Sequence, residues 1–319
     1  MMSIINDQLK TKYDLLIISA GFEDRTLGSI QKIQGRTIIE NVIMNVFHSE
    51  EPELDQKNKE NMIKMKKVLS QIVKGDIIVV ENEPDNMKRF NETLSAYVKD
   101  SKNILIDITS FTRLFLYTVL NTSLNYTASA DILYSEPQEY TMNFARGLEK
   151  IIILPNYPGV PDQSKKILMI MFLGWESRRA ESVIEEFDPD LLITFHESSE
   201  DRQRDIWNQV TMKQSKKLSE RSENYSVSAL NPKETLQKLE KIHEKYSDNY
   251  DICLVNIGPK SQCLAIAEFS QKHDEVQVLY PKPYKWTQEL PESEKADPIS
   301  SGMGRTYFFQ YPLCKKVEK

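Results

Sequence analysis

Gly21-Phe22-Glu23-Asp24-Arg25 follows an apolar run at residues 13–19, and Gly174-Trp175-Glu176-Ser177-Arg178 follows another at residues 166–172. Both stretches read G-[FW]-E-x-R, and each stands where the first apolar run of one half of the chain ends. Outward from the first copy, short apolar runs (42–47, 76–80, 103–107, 131–134) alternate with amphipathic stretches (26–34, 57–73, 86–98, 112–125). Outward from the second, runs at 191–195, 252–255 and 276–280 alternate with helical patterns at 179–186, 232–246 and 261–271. Strand–helix alternation of this kind predicts parallel sheets covered by helices.

Further matches follow in the same order. Phe47-His48 and Phe195-His196 close the second run of each half, and Asp107-Ile108 and Asn256-Ile257 close a later one. Leu133-Tyr134-Ser135-Glu136-Pro137 answers Leu279-Tyr280-Pro281-Lys282-Pro283. The offset drifts from 153 (Gly21 to Gly174) to 146 (Leu133 to Leu279), as insertions and deletions in loops produce. The expected fold is therefore α/β, with two tandem Rossmann-like parallel-sheet domains related by internal duplication. Residues 1–154 form domain 1. The Pro- and Gly-rich stretch 155–164 is the linker, and 165–319 form domain 2 with a C-terminal extension. Within that extension 288–301 reads as a loop and 305–311 as an aromatic strand, which closes the second sheet or covers a cleft.

Composition narrows the chemistry. The chain has 319 residues, only 10 glycines, a net charge of −6 and 28% charged residues. No G-x-x-x-x-G-K-[ST] loop is present, and the sole G-x-G, Gly302-Met303-Gly304, precedes no helical pattern, which excludes the usual glycine fingerprints for nucleotides. The acidic balance argues against a surface devoted to extended duplex nucleic acid. Residues 1–12 lack an apolar stretch of signal-peptide length, and no run approaches the ~20 residues of a membrane span. Cys253, Cys263 and Cys314 form no C-x-x-C pair. A cytoplasmic protein with no membrane contact is expected.

In open parallel sheets ligands bind outside the carboxyl ends of the strands, and every repeated motif falls there. Gly21 and Gly174 suit a sharp turn or a close backbone approach. Glu23 with Arg25, and Glu176 with Arg178, either bind a ligand or pair with each other. Phe22 and Trp175 either stack on a base or pack a helix. His48 and His196 are candidate ligand contacts or acid–base groups, alongside Glu23 and Glu176. No H-E-x-x-H or Asp/His cluster accompanies them, so neither metal nor cofactor is expected. Asp107, Thr109, Ser110, Thr112 and Arg113 run from strand into helix, where free amides and the helix dipole suit a phosphate and Ser110 or Thr109 suits an N-cap. Asn256, Gly258, Lys260 and Ser261 repeat the arrangement, and Tyr134 and Tyr280 follow the last runs.

These residues resemble the CRISPR-associated Rossmann-fold (CARF) sensors and the related SAVED domains, whose last major strand leads into a [DN]-x-[ST]-G-G-[TS]-[KR] turn. Half one matches at Asp107, Thr109, Thr112 and Arg113 and departs at Ser110 and Phe111, where two glycines are expected. Half two matches at Asn256, Gly258, Lys260 and Ser261 with shifted spacing. The resemblance implies second-messenger sensing in antiviral defence. A nucleotide-type ligand, such as a cyclic oligonucleotide, would lie in a cleft between the halves. Arg25, Arg113, Arg178 and Lys260 would meet phosphates, and Phe22, Trp175, Tyr134 and Tyr280 would meet bases. The two halves account for nearly all residues, so an effector protein is expected to be encoded separately. Two alternatives stand beside this one. One is a hydrolase cleaving a phosphodiester or N-glycosidic bond in the same cleft; the other is a scaffold that has lost its ligand.

Overall fold

The computed structural model describes residues 3–5, 8–48, 52–82, 87–126, 129–140, 147–162, 164–174, 176–198, 222–283 and 300–312. In chain order the elements begin with β1 (Ser3–Ile4), β2 (Lys12–Ala20), a 3-10 turn (Asp24–Leu27), α1 (Gly28–Ile33) and β3 (Ile38–Phe47). Next come α2 (Pro52–Leu69), β4 (Ile77–Asn82), α3 (Lys88–Val98), β5 (Ile104–Asp107), α4 (Arg113–Tyr126), β6 (Ser129–Ser135) and β7 (Glu139–Tyr140). β8 (Lys150–Ile153), β9 (Lys166–Phe172), α5 (Ser177–Phe187), β10 (Leu191–Ser198), β11 (Ser222–Ser228) and α6 (Pro232–Tyr246) continue the chain. It ends with β12 (Tyr250–Asn256), α7 (Gln262–Lys272), β13 (Gln277–Lys282), β14 (Ser300–Ser301) and β15 (Thr306–Pro312).

Two main sheets result. The first reads β1-β15-β6-β5-β2-β3-β4 and the second β11-β10-β9-β12-β13-β8; β7 and β14 pair separately. Within each, the parallel strands numbered in chain order stand 3-2-1-4-5, the Rossmann order. Each sheet then adds one antiparallel strand beside the fifth: β15 on β6 in the first, β8 on β13 in the second. The central strands explain the placement. β2 and β9 are almost continuously apolar and their inner residues are buried, as strands covered on both faces must be. The helices α4 and α7, which follow the fourth strand of each sheet, are buried nearly all round. α2 buries only a stripe of Asn58, Asn61, Met65 and Leu69.

The antiparallel strands do not stay with their own half. β8 follows the first sheet's fifth strand in the chain, yet Ile152 pairs with Tyr280 of β13. β15 follows β13, yet Tyr307 pairs with Tyr134 of β6. One compact unit accordingly holds residues 2–143 with 291–319, and the other residues 144–290. We call them the first and second units. This division departs from the expected boundary after residue 154. The C-terminal strand closes the first sheet, not the second. Apolar alternation says that a segment will pair; it does not say which open sheet edge it will find.

The expected linker is also bonded rather than free. Leu154 N–H donates to Val278 O (2.9 Å), Val278 N–H to Tyr157 O (3.0 Å) and Val160 N–H to Glu275 O (3.1 Å). Tyr157 is buried in the second unit. β11 has no apolar run because it is a polar edge strand. It is held by pairing along β10 and by Tyr225 stacked 5.4 Å from Phe195, itself 4.7 Å from Phe172.

Candidate functional site

At the carboxyl edge of the first sheet, β2 delivers the chain into Gly21. Its N–H donates to Thr26 Oγ1 (3.2 Å), and its carbonyl accepts from Asn61 Nδ2 (2.8 Å). A Cβ on Gly21 would stand 3.0 Å from Ser110 Cβ, so glycine lets this loop lie against the turn after β5. Ser110 Oγ donates to Thr26 Oγ1 (2.9 Å) and ties the two together. Arg25 turns inward. Its Nε and Nη2 donate to Glu23 Oε2 at 3.0 and 2.7 Å, with only 10% and 12% of the two side chains exposed. Phe22 is half-buried beside them.

Asp107 is equally committed. Its Oδ1 accepts the Thr109 N–H (2.9 Å) and its Oδ2 accepts the Ser29 hydroxyl. Thr109 Oγ1 then accepts the Ser135 N–H (2.9 Å). These bonds fix the turn that starts α4. The residues this edge offers outward are Ser110 and Arg113, both half-buried, and Thr112, which is exposed. Tyr134 is buried, opposite Tyr307. His48 has Nδ1 3.5 Å from Asp55 Oδ1 and Nε2 3.3 Å from Glu81 Oε2.

The second sheet builds the same turn with different atoms. Asn256 Oδ1 accepts the Gly258 N–H (2.9 Å), and its amide donates to Pro259 O (3.3 Å) and lies 3.3 Å from Cys263 Sγ. A turn of this kind needs one acceptor oxygen, which Asp and Asn both supply; the exchange of Asp107 for Asn256 keeps the geometry and drops the charge. Gly174 and Gly258 cross backbone to backbone: a Cβ on Gly174 would stand 2.3 Å from Ile257 O, and one on Gly258 2.7 Å from Leu173 O. Ser261 is buried and donates to Ala229 O. Lys260 and Tyr280 are half-buried, the latter opposite Ile152.

The Glu–Arg pair of this half is not the expected one. Glu176 Oε2 meets Arg179 Nη2 at 2.7 Å, with 3% of Arg179 exposed, and Arg178 is exposed. His196 lies inside β10, opposite Ser226, because that strand runs on to Ser198. Trp175 lies outside the described residues.

One network escaped the sequence reading. Asn82 Nδ2 donates to Asn45 Oδ1 (2.7 Å), and Asn45 Nδ2 donates to Ser19 Oγ (3.2 Å). All three are buried at the ends of β4, β3 and β2. A buried polar chain satisfied this way fixes neighbouring strands. The signal was present, since Asn45 and Asn82 interrupt or end runs of aliphatic residues.

Burial sets the chemistry of the remaining groups. It pushes the Cys253 thiol far up, so this buried cysteine is no nucleophile. Burial, then Glu136, pushes the Tyr307 phenol up to about 12. Among the described residues no helix is long and apolar enough to cross a membrane.

No protein-family model matches the chain, and no curated protein matches it. Two solved structures resemble it at 8% identity. One is the cytoplasmic domain of a prokaryotic cation chloride cotransporter (TM-score 0.27), over 84% of this chain and 95% of that one. The other holds the adenylation, ketoreductase and pseudo-Asub domains of a keto acid-selecting NRPS module (TM-score 0.28), over 93% of this chain but 22% of that one. Both likenesses are too slight to bear on function.

Proposed function

We propose that this protein senses a nucleotide-type ligand at the carboxyl edges of its sheets. The observation that carries this reading is the turn built twice. In each unit the fourth parallel strand ends on Asp107 or Asn256, whose side chain accepts the N–H two residues on. The chain then enters a helix with a cation at its start, Arg113 in one unit and Lys260 in the other. Such a terminus suits an anion. Thr112, Arg113, Arg178 and Lys260 would meet phosphate. Arg25 and Asp107 would instead brace the loops that present them.

The shared strand order and shared turn fit descent from one duplicated unit of the CARF and SAVED kind. On that reading a cyclic oligonucleotide is the ligand, and the response passes to an effector encoded separately, in cytoplasmic antiviral defence. Binding is favoured over hydrolysis because Glu23 and Glu176, two of the acid–base candidates, are closed on Arg25 and Arg179. Calorimetry against cyclic and linear oligonucleotides tests the proposal. Binding weakened by Arg113→Ala and Lys260→Ala supports it; a folded protein that binds none of them defeats it.

A further inference from the structure

Two histidines thirty positions apart in sequence meet at the other end of the second sheet. His243 lies in the last turn of α6 and His273 caps α7. Their rings stand 3.8 Å apart, centroid to centroid. Glu275, two residues before β13 begins, joins them. Its Oε1 is 2.6 Å from His243 Nε2 and 3.7 Å from His273 Nδ1. One donor atom from each of the three residues lies within 4.8 Å of the other two. A surface pocket lined by Val160, Asp162, Tyr250 and Ile252 opens onto His243 and Glu275. This is the amino edge of the sheet, away from the strand ends discussed above.

We infer that His243, His273 and Glu275 form a binding site for a divalent first-row transition metal of the Zn²⁺ class. The donor set decides the class: two imidazoles and one carboxylate suit Zn²⁺ and its neighbours, whereas Mg²⁺ and Ca²⁺ take oxygen ligands. With bonds of roughly 2.0–2.1 Å, tetrahedral donors stand about 3.3 Å apart. The 3.7 Å contact closes slightly and the 2.6 Å contact opens slightly to reach that spacing.

A separate observation points to a ligand. His273 Nε2 stands 2.7 Å from Glu240 Oε2. A carboxylate accepts, so in the neutral ring the proton is on Nε2 and the Nδ1 lone pair is turned toward Glu275; His243 Nε2 likewise shares a proton with Glu275 Oε1 at 2.6 Å, and a metal ion displaces that proton to solvent on binding. A carboxylate that fixes the tautomer of a ligating histidine is the usual outer partner of a metal site. Lys272 Nζ engages the other oxygen of Glu240 at 3.7 Å, leaving Oε2 to the ring. Bound metal would tie the ends of α6 and α7 to the start of β13, and solvent would complete its coordination from the pocket. This inference does not rest on the ligand proposed for the opposite edge.

The full-length protein, stripped with a chelator and exchanged into metal-free buffer, is titrated with Zn²⁺ by calorimetry and with Co²⁺ by visible absorption. One ion per chain, tetrahedral ligand-field bands and a raised melting temperature are expected. His273→Ala and Glu275→Gln, each checked for unchanged circular dichroism, should abolish the bands. Glu240→Gln should weaken binding about 10–100-fold. The inference falls if the folded wild type gives no bands and no melting shift. It falls equally if both persist in the His243→Ala, His273→Ala double variant.

Discussion

The exchange of edge strands makes a sharp demand on how the chain is cut. A chain of residues 1–154 ends where the composition changes, but it lacks β15. That strand pairs with β6 at every position from Thr306↔Ser135 to Pro312↔Ser129. It also buries Tyr307, Phe308, Phe309 and Tyr311, each at most 7% exposed. At about 1.5–3 kcal/mol per large buried side chain, its loss removes about 6–12 kcal/mol, an upper bound because denatured chains bury some surface too. A domain's whole stability is roughly 5–15 kcal/mol. Residues 1–154 should therefore fail to unfold cooperatively in urea. A rescue is built into the geometry: Tyr140 of β7 lies directly opposite Ser300 of β14. Joining residues 1–140 to 300–319 through a short Asn-Gly turn continues that pair as a hairpin. The rejoined chain should show a single cooperative transition by circular dichroism. Residues 144–290, which retain β8, should likewise outlast residues 165–319. Were the 1–154 chain to melt cooperatively at the midpoint of the rejoined one, the exchange would carry no stability and the reasoning would be wrong.

Three further outcomes follow from single residues. Arg25→Ala should destabilise the protein by about 3 kcal/mol, because it removes the two hydrogen bonds that Arg25 gives the largely covered Glu23 carboxylate, while Arg178→Ala should change the stability measured in urea by less than about 0.5 kcal/mol; equal effects would dissolve the distinction between brace and surface cation. Gly174→Ala should cost on the order of 1–3 kcal/mol, since its Cβ meets the Ile257 carbonyl at 2.3 Å, and a neutral result in thermal melts would mean the two loops do not cross so closely. Because the Tyr307 phenol titrates at about 12 in the folded protein against an ordinary 10.0, its contribution is full below pH 10 and is lost as pH rises through about 12. Tyr307→Phe should flatten that part of the stability profile, and an unchanged slope would show the phenol is not responsible.

The strands of the sheets were largely legible because central parallel strands carry continuous aliphatic runs, and these marked β2, β3, β9, β10 and β12. The polar edge strand β11 had no such run, since an edge strand wetted on one side has no need of one. Which edge β8 and β15 would join was invisible, because a pairing strand's alternation is the same whichever sheet receives it.

The site divides along the same physical line. A repeated motif announces that a position matters, but not whether it serves ligand or loop. Glu23 precedes a 3-10 turn, and there the arginine two positions on reaches it. Glu176 stands at the N-cap of α5, where helical spacing brings round the residue three positions on. The pairing partner is thus Arg179, although aligning the letters selects Arg178. The local helix type reassigns the role, and only the backbone reveals it. The same reasoning explains His243 and His273. Neither has a spacing that suggests a shared site, yet α6 and α7 both end at the amino edge of one sheet, so their last turns deliver both imidazoles to Glu275. In a Rossmann-like unit every helix returns the chain to that edge, so residues in the final turns of successive helices are neighbours whatever their separation in sequence. Chemistry assembled there is found by topology rather than by motif.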